Sequence, residues 1–199
     1  MASQPKGPRA DLRLATRGKT GENGPVDAYP RGMSQDLQAA RAARPDDARW
    51  IAQAIELART SVATGGGPFG ALIVRDGRVL AAASNRVTAE LDPTAHAEVN
   101  AIRAACKATG DFKLSGATLY SSCEPCPMCL GAIHWARVER LVFACSRTDA
   151  AAAGFDDDWI YRELVLPLEQ RAVPTLQMAR EAGLKAFEAW RALSTRIEY

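Results

Sequence analysis

A chain of 199 residues with 47% hydrophobic content is long enough to bury one good core, and its formal charge of +2 is too small to mark a polyanion-binding protein. No apolar run approaches the ~18 residues of a membrane span, and the N-terminus has no secretory apolar region, so no membrane association is expected. Five cysteines, an odd number, suggest no disulfide framework, and a cytoplasmic, reducing compartment is expected.

Residues 1–45 are rich in Gly, Pro, Arg and Ser with little apolar periodicity, which predicts a disordered extension, followed by one domain over 46–199. Up to residue 47 the chain holds 8 basic and 6 acidic residues, and residues 48–199 hold 17 of each, so the domain is close to neutral. Met33-Ser34 offers an alternative start, and organelle targeting is poorly supported because no amphipathic stretch is evident.

Asp46 or Asp47 is expected to cap a first helix with an apolar stripe of Ile51, Ile55, Ala58 and Val62, stopped by Gly65-Gly66-Gly67-Pro68. Phe69 to Arg75 and Arg78 to Ser84 flank Asp76-Gly77, a two-residue hairpin signal. Asp92, Pro93 and Thr94 announce a helix that runs to about Thr109. Thr118 to Ser121 reads as a third strand, followed by a helix ending near Arg137, a fourth strand over Arg140 to Ala144 and a fifth over Val173 to Met178. This alternation predicts an α/β fold, a three-layer α/β/α sandwich on a mixed five-stranded sheet.

Two motifs carry the chemistry. His96-Ala97-Glu98 and Pro125-Cys126-Pro127-Met128-Cys129 lie thirty residues apart and offer His96, Cys126 and Cys129 as ligands to one zinc ion per subunit. Three protein ligands leave the fourth corner of a tetrahedral site to water, the arrangement of a hydrolytic metal. Cys126 and Cys129 share a helix face, with Pro127 suited to the first turn. Two residues apart, His96 and Glu98 reach one site only near a helix start, where Glu98 is free to carry protons as the catalytic acid and base. Cys123 extends the run to C-x-x-C-x-x-C, and a fourth sulfur would close the site; the strand-like segment before Pro125 argues against it. His134 reads as a helix-surface or packing residue, and Cys106 and Cys145 as buried thiols.

These residues resemble the signature of the cytidine deaminase superfamily, H-x-E followed by P-C-x-x-C. The longer stretches from Asp92 to Asn100, from Ser122 to Ile133 and from Thr148 to Asp158, with the Glu198-Tyr199 ending, are similar to bacterial-type guanine deaminases over about residues 48–199. That resemblance implies zinc-dependent hydrolysis of guanine to xanthine and ammonia, with Asp157 selecting the base, Asn85 reading its acceptors and Tyr199 completing a partner's pocket in a swapped homodimer. Asp156 to Asp158 also reads as a solvated acidic loop, and Asn85 as an ordinary turn residue. The Ala97 backbone stands where its N–H can meet a carbonyl, while Phe69 and Trp135 either stack on the base or fill the core. Phe187, Trp190, Leu193 and Ile197 form an apolar stripe suited to docking the C-terminal segment.

A guanosine, cytosine or aminotriazine deaminase is the alternative of the same chemistry. A tRNA adenosine deaminase would need a basic surface that a neutral domain lacks, so a small nucleobase and no nucleic acid is the expected partner. A non-catalytic zinc protein, closed by Cys123, is the remaining alternative.

Overall fold

The computed structural model describes residues 41–198. The expectation of disorder over residues 1–45 falls almost wholly outside the described residues, as does Tyr199. The chain divides into two units, Met1–Ala42 and Ala43–Tyr199, and every element below belongs to the second.

The first helix, α1 (Asp47–Ala63), buries Asp47, Trp50, Ala54, Ala58 and Ser61. The expected stripe is therefore rotated, with Ile55 and Val62 left exposed. Gly70 supplies the reason: a methyl group there would sit 2.7 Å from the Ala58 nitrogen, so the following strand lies directly against the helix backbone and only alanines fit beneath it. At the other end, the buried Asp47 carboxylate accepts two bonds from Arg140, at 2.7 and 2.6 Å, and one from Tyr120 Oη at 2.7 Å. These contacts tie α1 to the sheet, and Arg140, the first cause, holds the Asp47 carboxyl well below its ordinary range.

Strands β1 (Gly70–Arg75) and β2 (Arg78–Ser84) form the expected hairpin, with Asp76 and Gly77 both at positive φ, as its two-residue turn requires. A short helix, α2 (Val87–Glu90), leads to α3 (Ala97–Thr109). Then come β3 (Thr118–Cys123), α4 (Pro127–Trp135), β4 (Arg140–Cys145), α5 (Arg147–Ala152), α6 (Asp157–Leu164) and, last, α7 (Arg180–Ala192).

The sheet order is β2-β1-β3-β4, with β1 antiparallel to both neighbours and β3 parallel to β4. Alternation along the central strands sorts the core into two faces. Leu72, Val74 and Tyr120 pack with Trp50 and Ala54 of α1, whereas Ala71, Ile73 and Leu119 pack with Ala101 and Ile102 of α3 and Ile133 of α4. Helices cover both faces as expected, but among the described residues the sheet has four strands and not five. Val173 to Met178 forms no strand: Pro174 cannot donate to a ladder, and Val173, Leu176 and Met178 are exposed. Among the described residues no helix is long and apolar enough to cross a membrane.

Candidate active site

Two helix starts converge beside β3. His96 is the N-cap of α3, and its extended backbone (φ −70°, ψ 155°) breaks the helical spacing that would otherwise part it from Glu98. Asp92 caps the turn before it instead, accepting from the Thr94 N–H at 2.8 Å, which corrects the expected helix start. Cys126 is the N-cap of α4, also extended (φ −64°, ψ 167°), with Pro127 in the first helical position. Neither cap makes a side-chain capping bond, so imidazole and sulfur face each other across the gap.

His96 Nδ1 lies 3.6 Å from both Cys126 Sγ and Cys129 Sγ. A tetrahedral zinc with ordinary Zn–S and Zn–N bond lengths requires a nitrogen–sulfur edge of about 3.6 Å. The donors therefore fit that ion without rearrangement, and they form a metal-competent trio. Cys123 stands outside it, its Sγ 3.5 Å from the Ser146 carbonyl and its thiol pushed up to about 12, chiefly by burial. A fourth-sulfur closure is thus not built. Cys126 is held low, at about 4, first by its bond to Cys129 and also by His96, and Cys129 is pushed up in turn. The cluster already favours a thiolate at the helix start.

Glu98 is 4% exposed, and burial raises its carboxyl above the ordinary range. Its Oε2 lies 3.5 Å from Cys129 Sγ and its Oε1 accepts from Ser121 Oγ at 3.1 Å. Such a carboxyl, close to the donor trio and shielded from bulk water, suits proton transfer to and from a reacting group.

A cavity of about 240 Å³ opens from His96, Glu98 and Cys126 toward Phe69, Asn85 and Asp157. Asn85 is buried, and its Oδ1 accepts the Val87 N–H at 3.2 Å, leaving its NH2 as the side for a ligand acceptor. Gly67 makes room for that amide, since a methyl group there would meet Asn85 Oδ1 at 3.1 Å. Ala97 is the first residue of α3, where an N–H has no acceptor within the helix. Phe69 stacks edge-on against Phe155, ring centres 4.8 Å apart. Asp157 opens α6, and partial burial raises its carboxyl, with the Cys126 charge adding to the effect.

Other expectations require correction. Trp135 is 63% exposed and does not line this cavity, because it ends α4 about 13 Å along the axis from Cys126. Cys145 is exposed and Cys106 half-buried. Three residues near the donors escaped the sequence reading as site groups: Ser121, Glu124 and Phe155. Phe155 was signalled by its neighbour Asp157, but nothing short of the strand register points to Ser121.

Residues 44–145 match the family model described as the cytidine and deoxycytidylate deaminase zinc-binding region. The chain belongs to that family, and His96, Cys126 and Cys129 are a trio that can form its zinc site. Within it, the chain is 51% identical over 151 residues to the guanine deaminase of Bacillus subtilis (strain 168), covering 75% of this chain and 97% of that one. The X-ray structure of the B. subtilis guanine deaminase superposes with a TM-score of 0.74 at 51% identity, over 76% of this chain and 97% of that one. A guanine deaminase structure from Nitrosomonas europaea gives 0.54 at 28% identity, over 85% and 87% of the two chains. The tRNA-specific adenosine deaminase of B. subtilis is 41% identical over 108 residues, 54% of this chain and 67% of that one.

Proposed function

We propose that this protein hydrolyses guanine to xanthine and ammonia in the cytoplasm. The observation that carries the reading is one cavity that joins the zinc-competent trio and Glu98 to Asn85, the Phe69–Phe155 pair and Asp157. Three carboxylates line it, those of Glu98, Glu124 and Asp157, and no described lining residue is Lys or Arg. Such a lining suits a neutral base with N–H donors and disfavours a phosphate-bearing substrate. The 51% identity to a guanine deaminase along nearly its whole length supports the same choice.

Zinc, when bound, supplies Lewis acidity that brings the pKa of water toward neutrality. The protein's own groups do the rest. The edge-on Phe69–Phe155 pair lies against the flat ring, Asn85 donates to a ring acceptor, and the Ala97 N–H meets the carbonyl. Asp157 accepts the paired N–H groups of the ring nitrogen and exocyclic amine. Glu98 takes one proton of the attacking water and returns it to a ring nitrogen, then takes the second from the added hydroxyl and passes it to the exocyclic amine; the C–N bond breaks as the carbonyl forms, so one water is consumed for each ammonia released.

The exposed C-terminal arm supports a swapped homodimer. Phe187, Trp190, Leu193 and Ile197 are 64%, 40%, 51% and 69% exposed, and α7 buries none of its residues, an apolar surface that calls for a second copy. In that arrangement Tyr199 caps the partner's pocket. Sedimentation should give twice the chain mass, and removing Ile197 to Tyr199 should lower turnover; unchanged turnover would refute the capping role.

Ammonia release from guanine, guanosine, cytosine and adenine, each with a chelated control, tests the activity. Guanine alone should be turned over, and only with metal. Preference for guanosine or cytosine would move the assignment to the alternative of the same chemistry, and no release from any of the four would end it.

A further inference from the structure

We infer that Ser121 is the positioning residue that fixes the Glu98 carboxylate for proton transfer, an inference that rests on the proposed role of Glu98. Ser121 lies in the middle of β3, is fully buried, and faces α3 because alternation along the strand turns Leu119 and Ser121 to the same side. Its Oγ donates to Glu98 Oε1 at 3.1 Å. The direction of that bond is set locally: the same oxygen accepts the Cys123 N–H at 3.4 Å, so its single proton turns toward the carboxylate.

The consequence is a division of labour between the two carboxylate oxygens. Oε1 is tethered to the sheet, whereas Oε2 stands on the side of the zinc ligands, 3.5 Å from Cys129 Sγ. Once Cys129 binds zinc as a thiolate it has no proton to donate, and Ser121 becomes the side-chain donor that keeps the carboxylate from turning. The tether is rigid because β3 is paired on both sides, with Ser121 opposite Ala71 of β1 and Phe143 of β4. A pre-oriented carboxylate loses no time or entropy in finding the reactive geometry, so its effect falls on the chemical step and not on binding.

The test is steady-state kinetics on the metal-loaded full chain, with zinc content and melting temperature measured in parallel. Ser121→Ala should lower kcat about 10-fold, the worth of one charge-assisted hydrogen bond, with KM and zinc stoichiometry unchanged. Ser121→Cys, which preserves volume but donates weakly, should show most of the same loss and guards against a folding defect in the alanine variant. In a Glu98→Gln background, Ser121→Ala should cost nothing further. Wild-type kcat in both single variants, a loss carried by KM or by zinc occupancy, or full additivity with Glu98→Gln would overturn the positioning role. Full activity in Glu98→Gln alone would instead overturn the role of Glu98 itself, so the two failures are distinguishable.

Discussion

Replacing Asp47 by Ala tests how α1 is anchored to the sheet. Asp47 and Arg140 have side chains only 11% and 9% exposed, with 2.6 Å between Asp47 Oδ2 and Arg140 Nη2. The carboxylate also accepts Tyr120 Oη and, at 2.8 Å, the Arg44 N–H. Removing one partner of a buried, hydrogen-bonded ion pair costs about 3–5 kcal/mol, because the other charge remains where water solvates it poorly. For a domain of this size each kcal/mol lowers the melting temperature by about 2–4 °C, so the variant should melt about 6–20 °C below the parent. The pH dependence has a definite sign. Arg140 depresses the folded-state value of Asp47 below its ordinary 3.8, so the stabilisation is complete above that value and is lost as pH falls through the folded one. The gap between parent and variant, measured by scanning calorimetry, should stay constant from neutral pH down to about 5 and narrow in stronger acid. A variant within 2 °C of the parent at neutral pH, or a gap that widens in acid, would refute the argument.

Gly70→Ala places a methyl group against the Ala58 nitrogen and the Leu57 side chain, both at 2.7 Å, and should cost at least about 1–3 kcal/mol in denaturant melts through overpacking. Glu98→Gln should retain zinc by elemental analysis and lose about 100- to 10,000-fold in kcat, the usual worth of a positioned acid and base. Tyr161→Phe removes the 2.8 Å bond from Tyr161 Oη to the Pro125 carbonyl, which ties the helix carrying Asp157 to the loop carrying Cys126. Losing about 1 kcal/mol there should raise KM for guanine about 5-fold with zinc content unchanged. A lowered zinc content in that variant would show that the tie serves the metal loop and not Asp157.

Local chemistry made much of this protein readable in the chain. A two-residue Asp-Gly turn forces a hairpin, Pro127 between two cysteines forces a helix start, and His-x-Glu makes one site only if the histidine lies just outside a helix; each follows from backbone geometry within a few residues. That His96, Cys126, Cys129 and Glu98 come together was legible for that reason. What depended on elements meeting across the fold was not. The face that α1 buries is set by how closely Gly70 approaches, and Trp135 is carried off the site by the length of α4. The fate of Val173 to Met178 is decided by whether a strand edge and a core await it, which no local pattern reports. Ser121 looks like any polar residue in a strand, and only the register of β3 against α3 brings its hydroxyl to Glu98. Residue types and short spacings determine which chemistry is possible, because ligand geometry and capping act over one or two turns. Packing decides which side chains share a cavity, because that is a property of surfaces distant in the chain.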